Sequence, residues 1–433
     1  VRRLNFLYTH DNAMGYGRMG TQLARVFPDM GLEVIEDLRE GGDVAPAALW
    51  ASLATGAKGW YMGQYRALLT MWEASRLPTS VREGLHNFDQ ILVPSIDNVE
   101  LYSRYHPRVS YVPLGVDPEL WGYWPRQSPM RTFRVLADGR GVRKGTDLAV
   151  KAFKAAFPDR SMDPQPQLLL KGSAAARTYG GSCIQVTTNH FSDESEPALY
   201  GSAQVYLAPS RGEGWGLCPL QAMAQGCPTI LTDAHGHSAF ASLGIGIPAK
   251  PVPSQYKLFG DSGEWWEPSF PDLVDALRHV YENYDKVCEE AKLAAAVVRQ
   301  NFTWRASALA ITNALDCDLE SGFDPREWVP APPVKRYPVV LRLPHRMESL
   351  GTVFYFRPGQ VFHERAEIKR MLFEAGLLDP VCLEVDDDDN GLTPEECERA
   401  RTVSAANAAC PTCGQELNSK PLYDYEDGGE SGL

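Results

Sequence analysis

The chain has 433 residues, 44% of them apolar and 22% charged, with a formal net charge of −13. That length exceeds what one hydrophobic core serves and predicts two or more globular domains. The acidic balance argues against a nucleic-acid binder, which needs an excess of Lys and Arg. Nine cysteines, mostly apart from one another, predict free thiols in a reducing, cytoplasmic setting.

The opening VRRLNFLYTH has two arginines before an apolar run too short for a secretory signal. No stretch approaches the roughly 18 apolar residues of a membrane helix, so neither export nor a membrane span is expected. Residues 4–9 read as a buried strand, followed by a glycine-rich turn at Gly15, Gly17 and Gly20 and a helix from Thr21 to Phe27. That succession opens a nucleotide-type α/β domain. Ile91–Pro94 and Val109–Leu114 read as further strands, with Ser95–Asp97 as the polar start of a helix. Proline and glycine crowd residues 113–129 and predict an interdomain linker. A second alternation follows: strands at Phe133–Ala137, Gln167–Lys171, Gln204–Ala208 and Pro228–Thr232, and helices at Asp147–Phe157 and Leu220–Gln225. Such repetition predicts a parallel, doubly wound sheet. Leu273 to Asn313 has a helical pattern.

Three segments carry chemistry. Gly139-Arg140 and Lys144-Gly145 set two cations around a glycine turn at a helix start. Backbone N–H groups and the helix dipole add positive character there, which suits a diphosphate; a solvated basic turn is the alternative. Ser210–Gly216 (SRGEGWG) lies between a strand and a helix, so Glu213 falls just past a strand end, where open α/β sheets bind ligands. MGYGRMG has the look of a phosphate loop but lacks the P-loop lysine.

The stretch SRGEGWGLCPLQAMAQGCPTILTD resembles the signature of family 4 glycosyltransferases, retaining enzymes with the GT-B fold. GYGRMGTQLARVF, TMWEASRLP, FDQILVPS, VPLGVDPELW, DGRGVRKGTDLAVKAF and NFTWRASA resemble the family's other segments, in its order, over roughly residues 4–316. The resemblance implies an α/β chain of two facing Rossmann-like domains with a small C-terminal extension. Residues 1–120 would form the acceptor-side domain, with a helix at about 303–316 packing back on it. Residues 121–302 would form the nucleotide-sugar domain, and 317–433 an extension of unknown role. It further implies transfer of a hexose-type sugar from a UDP- or GDP-sugar to an acceptor (glycan, protein or small molecule), with no metal or other cofactor required.

Site residues carry over by position. Arg140 and Lys144 would hold the donor pyrophosphate, approached by Gly15, Tyr16 and Gly17 from the other domain and lined by Gly139. Glu213 would contact hydroxyls of the transferred sugar, with Gly214, Trp215, Gly216 and Leu217 on the donor side. Glu73 in TMWEASRLP is the candidate near the acceptor, or else a helix-surface carboxylate. Retention without an evident nucleophile implies that the leaving phosphate takes the acceptor's proton, while Arg140 and Lys144 stabilise its charge. His235 and His237 in DAHGHS stand where relatives have a Gly-Gly turn, and are candidate donor or acceptor contacts, with a metal site as a further alternative; His10 and His86 are secondary candidates.

Two positions depart from the pattern. Gln221 replaces the second Glu, which in the family binds ribose, so that contact would lose its charge assistance. Cys218 replaces a common Pro. Gln221 sustains an alternative: a catalytically degenerate nucleotide-sugar-binding protein. A DNA-modifying glucosyltransferase of the same fold is opposed by the charge and the signature.

After Cys317 a Pro-rich run reads as a linker, Val339–Phe356 as β-type, Glu364–Ala375 as a helix, and the acidic, Gly-rich end as loose. Cys410 and Cys413 are half of a zinc ribbon, and Cys382, Cys397 or His363 could complete a structural zinc site; free thiols are the alternative. Asp386–Asp389 reads as a solvated charge run. The sequence carries no signal of oligomeric state.

Overall fold

A computed structural model describes residues 3–10, 15–36, 47–54, 65–126, 132–159, 161–172, 174–188, 191–192, 195–256, 260–321, 337–340, 345–349, 352–356 and 361–364. The first sheet is built from β1 (Arg3–Tyr8), β2 (Glu33–Glu36), β3 (Ala47–Ala51), β4 (Tyr65–Leu69), β5 (Gln90–Val93) and β6 (Val109–Tyr111), with α1 (Gly15–Val26), α2 (Thr79–Leu85) and α3 (Ile96–Tyr102) between them. Its order is β2-β1-β3-β4-β5-β6, and all five pairings are parallel. Continuous apolar runs such as QILV, buried at every position, are what a sheet covered on both faces requires.

The glycines of MGYGRMG lie inside α1 rather than in the turn before it, which corrects the expectation from sequence. A side chain on Gly20 would begin 2.2 Å from the Tyr8 ring, so the helix packs on β1 at a distance only glycine allows.

The second sheet holds β7 (Phe133–Gly139), β8 (Pro166–Gly172), β9 (Ile184–Thr187), β10 (Val205–Ala208), β11 (Thr229–Thr232) and β12 (Ile245–Ile247), with α4 (Thr146–Ala156), α5 (Glu196–Gly201) and α6 (Leu217–Ala224). Its order is β12-β11-β10-β7-β8-β9, again parallel throughout. β7 is flanked by β8 on one side and β10 on the other, so the strand order reverses between β7 and β10. A crevice opens at such a point outside the carboxyl ends of the strands.

An antiparallel hairpin, β13 (Ala249–Pro253) and β14 (Glu264–Pro268), precedes α7 (Phe270–Glu282), α8 (Tyr284–Asn301) and α9 (Trp304–Ser321). α9 returns to the first sheet and packs on α1; Trp304, Ile311 and Leu315 share a core with Leu4, Met19 and Leu23. Residues 113–121 of the predicted linker are packed. Leu114, Val116 and Trp121 are buried, the Val116 N–H donates to the Phe302 carbonyl at 2.9 Å, and the Ser307 hydroxyl to the Pro113 carbonyl at 2.6 Å. Both crossings between the sheets are thereby tied together.

By contacts the chain divides into a unit of residues 1–332 with 350–352 and a unit of 333–349 with 353–433. In the latter, β15 (Tyr337–Val340) pairs antiparallel with β18 (Val361–Glu364), while β16 (His345–Ser349) pairs with β17 (Thr352–Phe356). Glu364 ends a strand instead of starting the predicted helix; the rest of that helix, Cys382, Asp386–Asp389, Cys397, Cys410 and Cys413 lie outside the described residues.

Candidate donor site

Two turns meet at the reversal of strand order. After β7, residues 140–145 carry the cations and lead into α4; after β10, residues 209–216 carry Glu213 and lead into α6. Arg211 stitches them. Its guanidinium donates to Asp147 at 2.7 and 3.0 Å and to the Val142 carbonyl at 2.6 Å, and its backbone N–H to the Arg143 carbonyl at 2.7 Å. Thr146 fastens the first turn, donating to the Asp138 carbonyl at 2.9 Å and accepting from the Gly141 N–H at 3.1 Å. Both turns are thus fixed by side chains whose positions are set by the second sheet.

Charge is concentrated here. Asp138 grips Arg140, whose Nε lies 2.9 Å from each carboxylate oxygen. Lys144 Nζ donates to Glu213 Oε1 at 2.6 Å and Oε2 at 2.8 Å. Arg143 Nη1 donates to the Gly212 carbonyl at 2.6 Å and stands 3.5 Å from Glu213 and 3.8 Å from Glu73. Burial alone would raise the Glu213 pKa; Lys144 and Arg143 outweigh it and hold the carboxyl far below the usual range. Asp138 is likewise pulled down by Arg140 against its burial. The Cys218 thiol lies 3.7 Å from Arg140; burial would raise its pKa, but Arg140 and Lys171 lower it.

Glu73 lies on the other side of the crevice and accepts from the Tyr256 hydroxyl at 2.8 Å. The two sides approach closely: a side chain on Gly212 would begin 2.1 Å from the Glu73 carbonyl oxygen, and one on Gly214 2.5 Å from Met71. Further contacts close the mouth. Ser75 and Arg76 N–H groups donate to Glu264 and Ser262 carbonyls at 3.0 and 3.1 Å, and Ser238 Oγ to Asp97 at 3.0 Å. Arg18 of α1 pairs at 2.7 Å with Glu196, which is almost fully buried and also held by Lys171. Trp265 of β14 is buried in the first sheet's core with Trp72, Leu77 and Leu85.

The remaining predicted residues fall as follows. Gly139 ends β7, Gly15 begins α1, and Gly17 is buried within it. The Tyr16 hydroxyl is buried, accepts from the Met71 N–H at 3.1 Å and contacts Thr70 Oγ1 at 3.3 Å, so it fastens α1 to the end of β4. The Trp215 ring is buried and packs on Phe240 and Phe302. Leu217 opens α6. Gln221 is buried, and its Oε1 has no partner among the described residues. His10 and His86 are exposed.

Reading the sequence missed Arg143, Tyr256, Lys171 and Glu196. Arg143 carried a signal, since it sits within GRGVRKG; the others meet the site only through the fold. No group of three or more His, Cys, Asp or Glu is arranged to hold a metal among the described residues, nor is any helix there long and apolar enough to cross a membrane.

Residues 97–311 match the family described as "Family 4 Glycosyltransferase in conflict systems". A segment of 112 residues is 31% identical to a putative glycosyltransferase 41 of Sulfolobus islandicus filamentous virus (isolate Iceland/Hveragerdi), covering 24% of this chain and 33% of that one. The match thus spans about a third of the viral relative's length. Among solved structures, sucrose-phosphate synthase from Thermosynechococcus elongatus superposes with a TM-score of 0.55 at 16% identity, and WaaG, a glycosyltransferase involved in lipopolysaccharide biosynthesis, with 0.51 at 14%. Each superposition covers 74% of this chain and 100% of the other. The likeness to these structures is one of fold, two parallel six-stranded sheets with flanking helices. Over residues 97–311 the chain is thus similar to the family 4 glycosyltransferases, and its fold is GT-B.

Proposed function

We propose that the protein is a retaining, metal-independent glycosyltransferase that moves a hexose-type sugar from a UDP- or GDP-sugar to an acceptor glycan, protein or small molecule in the cytoplasm. The observation that carries the reading is the meeting of Arg143 and Lys144 with Glu213, beside the Arg140–Asp138 pair, at the reversal of strand order. Three cations and the starts of α4 and α6 suit a diphosphate. Glu213, kept ionised beside them, can accept hydrogen bonds from sugar hydroxyls.

In this reading the donor's phosphates take over Lys144, and Glu213 is released to the sugar. Arg140 and Lys144 stabilise the charge that develops on the leaving diphosphate, whose oxygen takes the acceptor's proton. Glu73 and Tyr256 stand at the acceptor side. Gly15 and Gly17 bring the start of α1 towards the same phosphates.

Gln221 favours a second reading, a nucleotide-sugar-binding protein without turnover. Its buried, unpartnered Oε1 still offers an acceptor to a ribose hydroxyl, but without charge. A screen of UDP- and GDP-sugars by thermal shift and released nucleotide separates the two. Stabilisation with nucleotide release supports transfer. Stabilisation with no release from any donor supports binding alone, and no stabilisation by any donor overturns both.

A further inference from the structure

The turn after β11 is absorbed by none of these roles. His235 has φ +52, a left-handed conformation that non-glycine residues rarely adopt. Its ring stacks on Trp266, with centroids 4.5 Å apart, and its Nδ1 pairs with the Glu213 carbonyl. The Gly236 N–H donates to the same carbonyl at 3.1 Å. The turn is therefore bound to the backbone of Glu213, and the strained residue bends the chain so that His237 comes under the start of α6.

His237 is 1% exposed. A side chain on Gly216, the residue before α6, would begin 2.5 Å from His237 Cδ2 and 2.6 Å from Nε2, and Gly216 itself has φ +115. Glycine is required there on both counts, so the ring edge lies directly on the loop that carries Glu213. Neither ring nitrogen makes a hydrogen bond of good geometry among the described residues, the Thr232 backbone being the polar group near enough to act on the ring. Buried polar groups are rarely left so unless a bound group satisfies them. Burial pushes the imidazole pKa down to about 4; Glu213 raises it and Lys144 lowers it, so the ring is neutral at physiological pH.

We infer that His237 is a sugar-contacting residue, whose ring, together with Glu213 and the start of α6, reads a hydroxyl of the hexose on the donor and helps to decide which sugar is accepted. The assignment rests on the donor reading above. A neutral imidazole has one donor and one acceptor, as a hydroxyl does. A phosphate would gain no charge from it and would face the Glu213 carboxylate.

The test compares free UDP and GDP with UDP-glucose, UDP-galactose, UDP-N-acetylglucosamine and GDP-mannose, by calorimetry on the full chain. His237→Phe keeps a planar ring and removes both nitrogens; His237→Gln and His237→Asn restore an amide at two reaches and replace the Phe variant if it does not fold. His237→Phe is expected to bind the free nucleotide within about twofold of wild type and the preferred nucleotide-sugar about tenfold more weakly. Its preference among UDP-sugars narrows, and one of the amides recovers part of the loss. Equal weakening of nucleotide and nucleotide-sugar, or no change in either, overturns the assignment while the donor reading stands. Failure of the wild type to bind any of these donors overturns the donor reading and this assignment with it.

Discussion

Lys144 donates to both carboxylate oxygens of Glu213, at 2.6 and 2.8 Å, so the cation assigned to the donor's phosphates and the acid assigned to its sugar are bonded to each other. Their side chains are only 15% and 9% exposed. A pair this buried holds together because neither charge can be left alone there. In the proposed function, donor entry would be an exchange: phosphate would replace carboxylate at Lys144, and hydroxyls would replace ammonium at Glu213.

Lys144→Ala is expected to lower affinity for UDP or GDP at least tenfold. It also leaves Glu213 with Arg143 as its remaining cation, 3.5 Å away. Stability should fall by about 2 kcal/mol, less than the 3–5 kcal/mol typical of breaking a buried pair outright. Calorimetry with each nucleotide and urea denaturation read the two effects separately. Nucleotide affinity equal to wild type would remove Lys144 from the phosphate site.

Glu73 and Arg143 give a different signature. Glu73 accepts from Tyr256 at 2.8 Å and stands 3.8 Å from Arg143, facing the phosphate turn from the other side of the crevice. Glu73→Gln is expected to leave donor Kd within about twofold and to lower transfer at least tenfold. Arg143→Gln touches both acids and the Gly212 carbonyl, so it should weaken donor binding and transfer together. Kd from calorimetry and kcat from nucleotide release on the same preparations separate them. A loss of donor binding in Glu73→Gln as large as its loss of kcat would move Glu73 out of the acceptor side.

Trp265 ties the β13–β14 hairpin to the first sheet, since it is 3% exposed in a core that includes Trp72, Leu77 and Leu85. Trp265→Ala should cost about 3–5 kcal/mol, the usual range for truncating a buried aromatic. Because that core lies across the crevice from the hairpin's own sheet, the loss should fall on closure. A larger radius of gyration in X-ray scattering and faster proteolysis near residues 254–262 are expected; a compact, protease-resistant variant would show that the backbone bonds of Ser75 and Arg76 suffice.

The sequence was most legible where a short motif sits at a strand end. SRGEGWG and GRGVRKG could be placed because each joins a buried run to a helix, and the fold puts both at the same reversal. Strand runs of low β-propensity were not legible: AALWA in β3 is alanine-rich, EVIE in β2 is framed by charges, and the β13–β14 hairpin carries Pro251, Pro253 and Pro268. Tyr256, Lys171 and Glu196 reach the site from distant segments, and no local pattern marks such residues. The glycines of α1 were misplaced because a glycine cluster signals a turn unless a neighbour such as Tyr8 demands close packing.

His237 and Asp233 give opposed pH dependences that a variant can separate. The His237 pKa falls from 6.5 unfolded to about 4 folded, burial being the main cause. The unfolded chain therefore binds the extra proton between those values, and stability from this group is full above pH 6.5 and lost as pH falls towards 4. The span amounts to about 3 kcal/mol. Asp233 moves the other way, raised from 3.8 to about 6 by burial and by Asp97. Its folded state keeps the proton longer, so it favours folding at low pH and loses that contribution as pH rises through 6. In the wild type the two slopes partly cancel. His237→Gln removes only the first, so the stability of wild type minus that of the variant should rise by about 3 kcal/mol between pH 4 and pH 7, read from urea denaturation at each pH. A flat difference would mean that the His237 ring is satisfied by a partner in both of its protonation states, and the buried, unpartnered imidazole would no longer be available to a sugar hydroxyl.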